Sequence, residues 1–173
     1  MLEGRQVRKV GQLLDASPGG GKAVQMTNAA CMTDDNAETG LRQSSERWLR
    51  WLNAELMRRG DTPRSRLLGL WDALEDWFTS DDFATSLLAS GGAELRGEPD
   101  HPVHEVIAAH RDELRRLLVG LAEAAGAANP VGLATQLQVL VEGAIAGAVV
   151  DRQPFVARTG RRLTRLILAK GAA

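Results

Sequence analysis

The feature that most constrains this chain is the stretch from Pro130 to Val150, PVGLATQLQVLVEGAIAGAVV. Asn129 followed by Pro130 is a helix start: a side chain able to cap free N–H groups, then a residue whose missing N–H costs nothing in the first turn. Asp151-Arg152-Gln153-Pro154 ends the segment. Leu133, Leu137, Leu140, Val141, Ala144 and Ala148 recur at the spacing of one helical face, which belongs to the chain's own core. Val139, Gly143, Ala146, Gly147 and Val150 repeat that spacing on another side, so from 139 to 150 the helix is apolar or small nearly all round. Such a helix is expected to be covered on both sides. A chain of 173 residues has one core. The second face is therefore expected to meet something outside the protomer, where small residues let another backbone come close. The expected assembly is a helical homodimer.

Composition narrows the function. A hydrophobic content of 44% supports a real core, and a net charge of −1 gives no global pull toward nucleic acid or anionic membrane. Arginine outnumbers lysine 18 to 3, which reads as a coding bias rather than a binding signature. Cys31 is the only cysteine, so no internal disulfide framework exists and a reducing compartment suits the chain. No charged-apolar-cleavage pattern opens it, and the longest apolar run of the central helix, 143–150, is too short to span a bilayer. A soluble, cytoplasmic protein with no membrane partner is expected.

The chain then divides at residue 40. Residues 1–40 form an irregular N-terminal segment: Val7, Val10 and Leu14 could carry one short helix, which Ser17-Pro18-Gly19-Gly20-Gly21 breaks. The Gly-Gly-Gly-Lys run lacks a phosphate loop's first glycine, Ala16 standing there, and its hydroxyl residue, Ala23 standing there. Four basic residues against five acidic ones make this segment poor chemistry for gripping phosphates. Residues 41–173 read as a helical domain. Leu41, Trp48, Leu52 and Leu56 line one helix that ends at Arg58-Arg59-Gly60. Asp61-Thr62-Pro63 opens a second, with Leu67, Leu70, Trp71, Leu74, Trp77 and Phe78 on its face. Ser80-Asp81-Asp82 caps a shorter segment holding Phe83, Leu87 and Leu88. Asp100 and Pro102 open a long helix with Val103, Val106, Ile107, His110, Leu114, Leu117, Leu118 and Leu121 inward, and Glu105, Arg111, Asp112, Glu113, Arg115 and Arg116 outward. The last helix sets Phe155, Val156, Thr159, Leu163, Leu166 and Ile167 against Arg158, Arg161, Arg162 and Arg165. No alternating strand pattern of useful length occurs, so the fold class is all-α, a helical bundle.

Each candidate for chemistry has a plainer reading beside it. Asp100, His101, His104 and Glu105 share helical spacings that suit zinc, but the first residues already serve the helix start and no second cluster completes a shell; no metal or other cofactor is expected. His110 is read as a hydrogen-bonded core histidine, with the polar anchor of a ligand pocket as the alternative. Glu142 interrupts the most apolar stretch and needs a partner; an arginine of the last helix, within the chain or across a dimer, is expected to supply it. Trp71, Trp77, Phe78 and Phe83 are core aromatics by default, though helices packed around bulky rings can leave a cavity. The arginine stripe of the last helix reads as a solvated face. Nothing resembles a nucleophile with its base or a working pair of carboxylates, so an enzyme ranks below the binding readings.

Three blocks, SERWLRWLNAELMRRGDTPRSRLLGLWDALEDWFTSDDF from Ser45, EPDHPVHEVIAAHRDELRRLLVGLAEAAGAANP and LATQLQVLVEGAIAGAVV, resemble in order and spacing the effector-binding and dimerisation domain of TetR-type transcriptional regulators. The resemblance implies a ligand-responsive repressor whose C-terminal helical domain senses a small, mostly apolar effector. It implies that Trp71, Leu74, Phe78, Phe83, His110, Leu114, Leu137 and Val141 surround the effector. It also implies that the helices from 130 and 155 form a four-helix dimer interface, through Val139, Glu142, Gly143, Ala146, Gly147, Val150, Arg162 and Leu166. Family members bind DNA through a three-helix domain placed just before the position of Leu41, with a Ser-Lys-Gly motif and an aromatic-x-His-Phe motif; KAVQMTNAACMTDDNAETG stands there instead. The alternative is therefore a DNA-free sensor, or a heterodimer partner of a full-length regulator.

Overall fold

The computed structural model describes residues 34–84, 102–151 and 154–170. Every described residue belongs to one compact unit, Thr33–Ala173. The short helix and the glycine run expected near the N-terminus lie outside the described residues, as do Leu87, Leu88, Asp100, His101, Arg152 and Gln153. Among the described residues there are six helices and no strand: α1 Asp34–Arg59, α2 Pro63–Phe78, α3 Asp81–Ala84, α4 Val103–Ala124, α5 Pro130–Asp151 and α6 Phe155–Lys170. The all-α bundle is what the patterning dictates.

Helix α1 begins seven residues before Leu41, where the apolar period starts. Glu38 and Arg42, one turn apart, pair at 2.7 Å and support this polar extension. The α1–α2 corner turns on Gly60, where a Cβ would lie 2.6 Å from Ser65 Oγ and 2.7 Å from the Arg66 nitrogen. Thr62 and Ser65 then cap α2 reciprocally: the Ser65 N–H donates to Thr62 Oγ1 at 3.1 Å and the Thr62 N–H to Ser65 Oγ at 3.0 Å. Helix α4 ends on Gly126 at φ +75°, with the Ala127 N–H returning to the Ala122 carbonyl at 3.0 Å. Asn129 Oδ1 accepts from the Gly132 N–H at 2.9 Å and starts α5.

Packing is centred on α2, which touches α1, α4 and α6 and carries α3 at its end, whereas α5 packs on α4 and α6. Leu67, Leu70, Trp71 and Leu74 of α2 are fully buried with Leu52 and Leu56 of α1, Leu118 of α4, and Leu137 and Val141 of α5. Only one side of α5 is covered within the protomer: Leu133, Leu137, Val141, Ala144 and Ala148 are buried, while Val139 (62%) and Val150 (80%) are exposed. Taken whole, Pro130–Val150 is long and apolar enough to cross a membrane, a property that the longest unbroken apolar run understates.

Helix α6 turns a strip of small residues inward. Its buried strip is Ala157, Gly160, Thr164 and Leu168, and the larger residues Phe155, Leu163 and Leu166 are exposed. The cause is Trp71. Its indole lies against Gly160 so closely that a Cβ there would enter the six-membered ring, and its N–H donates to Thr164 Oγ1 at 2.7 Å. A bulky helix face cannot approach such a ring, so the small face turns inward. Two arginines expected to be solvated close this seam: Arg158 pairs with Glu75 at 3.0 Å, and Arg161 with Asp72.

Candidate functional site

Beside its core strip, α1 carries a second strip at helical spacing: Ser44, Arg47, Trp48, Trp51, Glu55 and Arg58. This strip faces the C-terminal end of α2 and the start of α3 across a cleft of about 770 Å³, whose other lining residues are Arg59, Asp76, Trp77, Ser80 and Asp82. Three tryptophans meet here, with ring centroids 6.3 Å apart for Trp48 and Trp51, 5.4 Å for Trp48 and Trp77, and 6.2 Å for Trp51 and Trp77. Phe78 and Phe83 continue the cluster behind Trp77. Trp48 and Trp77 are buried and Trp51 is half-exposed, so an indole face is available at the cleft.

The charged rim is largely self-neutralised. Glu55 accepts from Arg58 and Arg59, each at 2.7 Å, and Arg59 also reaches Asp76 at 2.5 Å. The Arg58 and Arg59 hydrogen bonds hold the Glu55 carboxyl below its ordinary range. Arg47 forms no ion pair among the described residues.

Trp48 Nε1 is a sealed donor without an acceptor among the described residues, whereas Trp71 Nε1 has Thr164. The two indoles therefore differ in what truncation removes. Trp71→Phe strands the buried Thr164 hydroxyl, while Trp48→Phe deletes an unsatisfied N–H. Trp71→Phe is expected to lower unfolding free energy by about 2 kcal/mol more than Trp48→Phe in urea titrations.

His110 sits between α4 and α1, sharing a 2.8 Å hydrogen bond between Nδ1 and Ser45 Oγ, with its ring 5.2 Å from that of Trp48. It thus occupies the hydrogen-bonded core position that the sequence favours, and it also borders a smaller hollow of about 310 Å³. Burial pushes its imidazole below the ordinary value, partly opposed by the Glu142 carboxylate. The unfolded chain therefore takes up this proton first as pH falls. The stability contribution is complete above the unfolded value of about 6.5 and declines as pH drops through it toward the lower folded value. The urea midpoint is expected to be lower at about pH 5.5 than at about pH 7.5, and His110→Gln is expected to flatten that difference.

The eight residues assigned to an effector by resemblance do not line the large cleft. Trp71, Leu74, Leu114, Leu137 and Val141 are buried in the core, Phe78 and Phe83 lie behind Trp77, and His110 faces Ser45. The cleft uses Trp48, which the sequence sets on the core strip of α1, and Trp51, which stands beside that strip. Three or more candidate metal ligands do not cluster anywhere among the described residues.

Of the residues assigned to a dimer face, Val139, Gly143, Ala146, Val150, Arg162 and Leu166 are exposed. Gly147 is placed differently: a Cβ there would lie 3.2 Å from Val156 Cγ1, so it serves the chain's own α5–α6 contact. Glu142 is tied to α4 and not to the last helix. It accepts from Arg111 Nε at 2.8 Å and from the second Arg111 nitrogen at 3.0 Å, and from Gln138 Nε2 at 2.9 Å. Buried Gln138 also accepts from Arg115 Nε at 3.0 Å and donates to the Arg111 carbonyl at 3.2 Å. Two arginines expected on the solvated side of α4 therefore bind α5. Val156 touches α5 and lies two turns from Leu163 along the same side of α6, so the exposed strips of α5 and α6 adjoin. Neither a known protein-family model, nor a curated protein, nor a solved structure matches this chain.

Proposed function

We propose that this chain is the sensing and self-associating part of a ligand-responsive transcriptional regulator of the TetR type, acting as a homodimer. The carrying observation is the uncovered face on α5 and α6, where Val131, Val139, Val150, Phe155, Leu163 and Leu166 are all exposed. Large apolar side chains left open on two adjoining helices mark an interaction surface, of which a standard interface takes about 800 Å² from each partner. Gly143 has open space where a Cβ would stand, so a second backbone can approach there. The order of a long helix, an aromatic-rich helix, a short one, a long one and a final packed pair supports the same reading.

Sedimentation equilibrium together with gel retardation on the DNA upstream of the gene tests it. A dimer is the expected result, and sequence-selective, salt-sensitive retardation by it supports a regulator that itself reads DNA. A folded monomer overturns the reading. A folded dimer that retards no DNA supports the DNA-free sensor or heterodimer partner, which the missing helix-turn-helix motifs of residues 1–40 favour.

A further inference from the structure

We propose that the tryptophan cleft between α1 and the end of α2 binds a flat aromatic organic acid, its ring lying on the Trp51 indole and its carboxylate or sulfonate meeting the Arg47 guanidinium. The inference rests on the sensing half of the reading above and gives it a ligand class. The three indoles stand 5.4–6.3 Å apart, centroid to centroid, and so fill the space between themselves. A guest cannot be enclosed by them, as a quaternary ammonium is in an aromatic cage; it has to lie over them. A flat ring does this by offset or edge stacking on the part of the cluster that Trp51 leaves open.

Charge then selects among flat rings. Glu55 is held by two guanidinium groups, Asp76 by one, and Asp82 also has a partner. A cationic guest would meet acids that are already satisfied. Arg47 is the rim arginine left without an ion pair among the described residues, and it precedes Trp51 by one helical turn on the same strip. An anionic group attached directly to the ring, or through a short spacer, fits that separation. Guanidinium recognises such an oxyanion through two parallel hydrogen bonds.

The test uses the full chain with 2-naphthoate as probe and 2-naphthylmethylammonium as its opposite-charge control, followed by calorimetry and by tryptophan emission. Three of the four tryptophans line the cleft, so occupancy should quench emission. Saturable uptake of one 2-naphthoate per protomer is expected, with the ammonium bound at least about tenfold more weakly. Arg47→Gln should weaken 2-naphthoate about tenfold and erase the charge preference, and Trp51→Ala should abolish uptake. Both positions are exposed or half-exposed, and circular dichroism verifies that the variants fold. No saturable uptake by the folded wild type overturns the site, as does uptake that Arg47→Gln leaves unchanged. Sedimentation of the same samples keeps the two readings separate. A monomer that takes up 2-naphthoate keeps the site and loses the dimeric regulator, and a dimer that takes up none loses the site alone.

Discussion

Gly160→Ala is expected to destabilise the protein by about 2–3 kcal/mol, although the same change at an open helical position would stabilise by up to about 1 kcal/mol. The reason is local. The added methyl would enter the Trp71 ring at Cε3, Cζ3 and Cη2, and that ring cannot retreat because its N–H is held by Thr164 and its faces are in the core. The ion pairs Asp72–Arg161 and Glu75–Arg158 hold the two helices together along one flank. Trp71→Phe removes the ring that the methyl strikes. In that background Gly160→Ala should cost less than about 1 kcal/mol, a coupling that a double-mutant cycle in urea measures. Equal costs in both backgrounds would show that the glycine is needed for something other than the indole.

Val139→Glu is expected to weaken self-association about a hundredfold or more while leaving the protomer's unfolding free energy within about 0.5 kcal/mol of wild type. Val139 is 62% exposed in the protomer, so a carboxylate there is solvated and disturbs nothing in the chain itself. Across a twofold-related face it would be desolvated without a partner. Sedimentation equilibrium at a series of concentrations reads the first effect and urea denaturation the second. A sedimentation profile identical to wild type would remove the α5 face as an interface. Gly147→Leu is the less informative change, because it strikes Val156 of its own chain before it reaches any partner.

The elements are legible in the sequence where capping and apolar period agree. Asn129-Pro130, Thr62-Pro63 and Gly126 mark true helix ends because each satisfies a specific backbone need at that point. The start of α1 is not legible, because its first turns are polar and show no apolar period. Nor is the inner strip of α6: its partner is a single large ring that demands small residues, so Ala157, Gly160 and Thr164 go inside while Leu163 and Leu166 stay outside. The cleft is half legible. Trp77 stands out on its helix, but Trp48 reads only as core, and Trp51 falls beside the apolar period of α1, where it packs on the core's edge. The partner of Glu142 cannot be read, since the choice between Arg111 and the arginines of α6 depends on how helices distant in sequence are set beside each other.

The buried amide of Gln138 has a mechanical consequence. Two helices joined only by aliphatic contacts can slip by a turn and regain similar packing. Slippage of α5 along α4 would break the bonds from Arg111 to Glu142, from Arg115 to Gln138 and from Gln138 to the Arg111 carbonyl at once. The pair therefore keeps a single lengthwise alignment, and a displacement of α4 is handed to α5 undiminished, as through a keyed shaft.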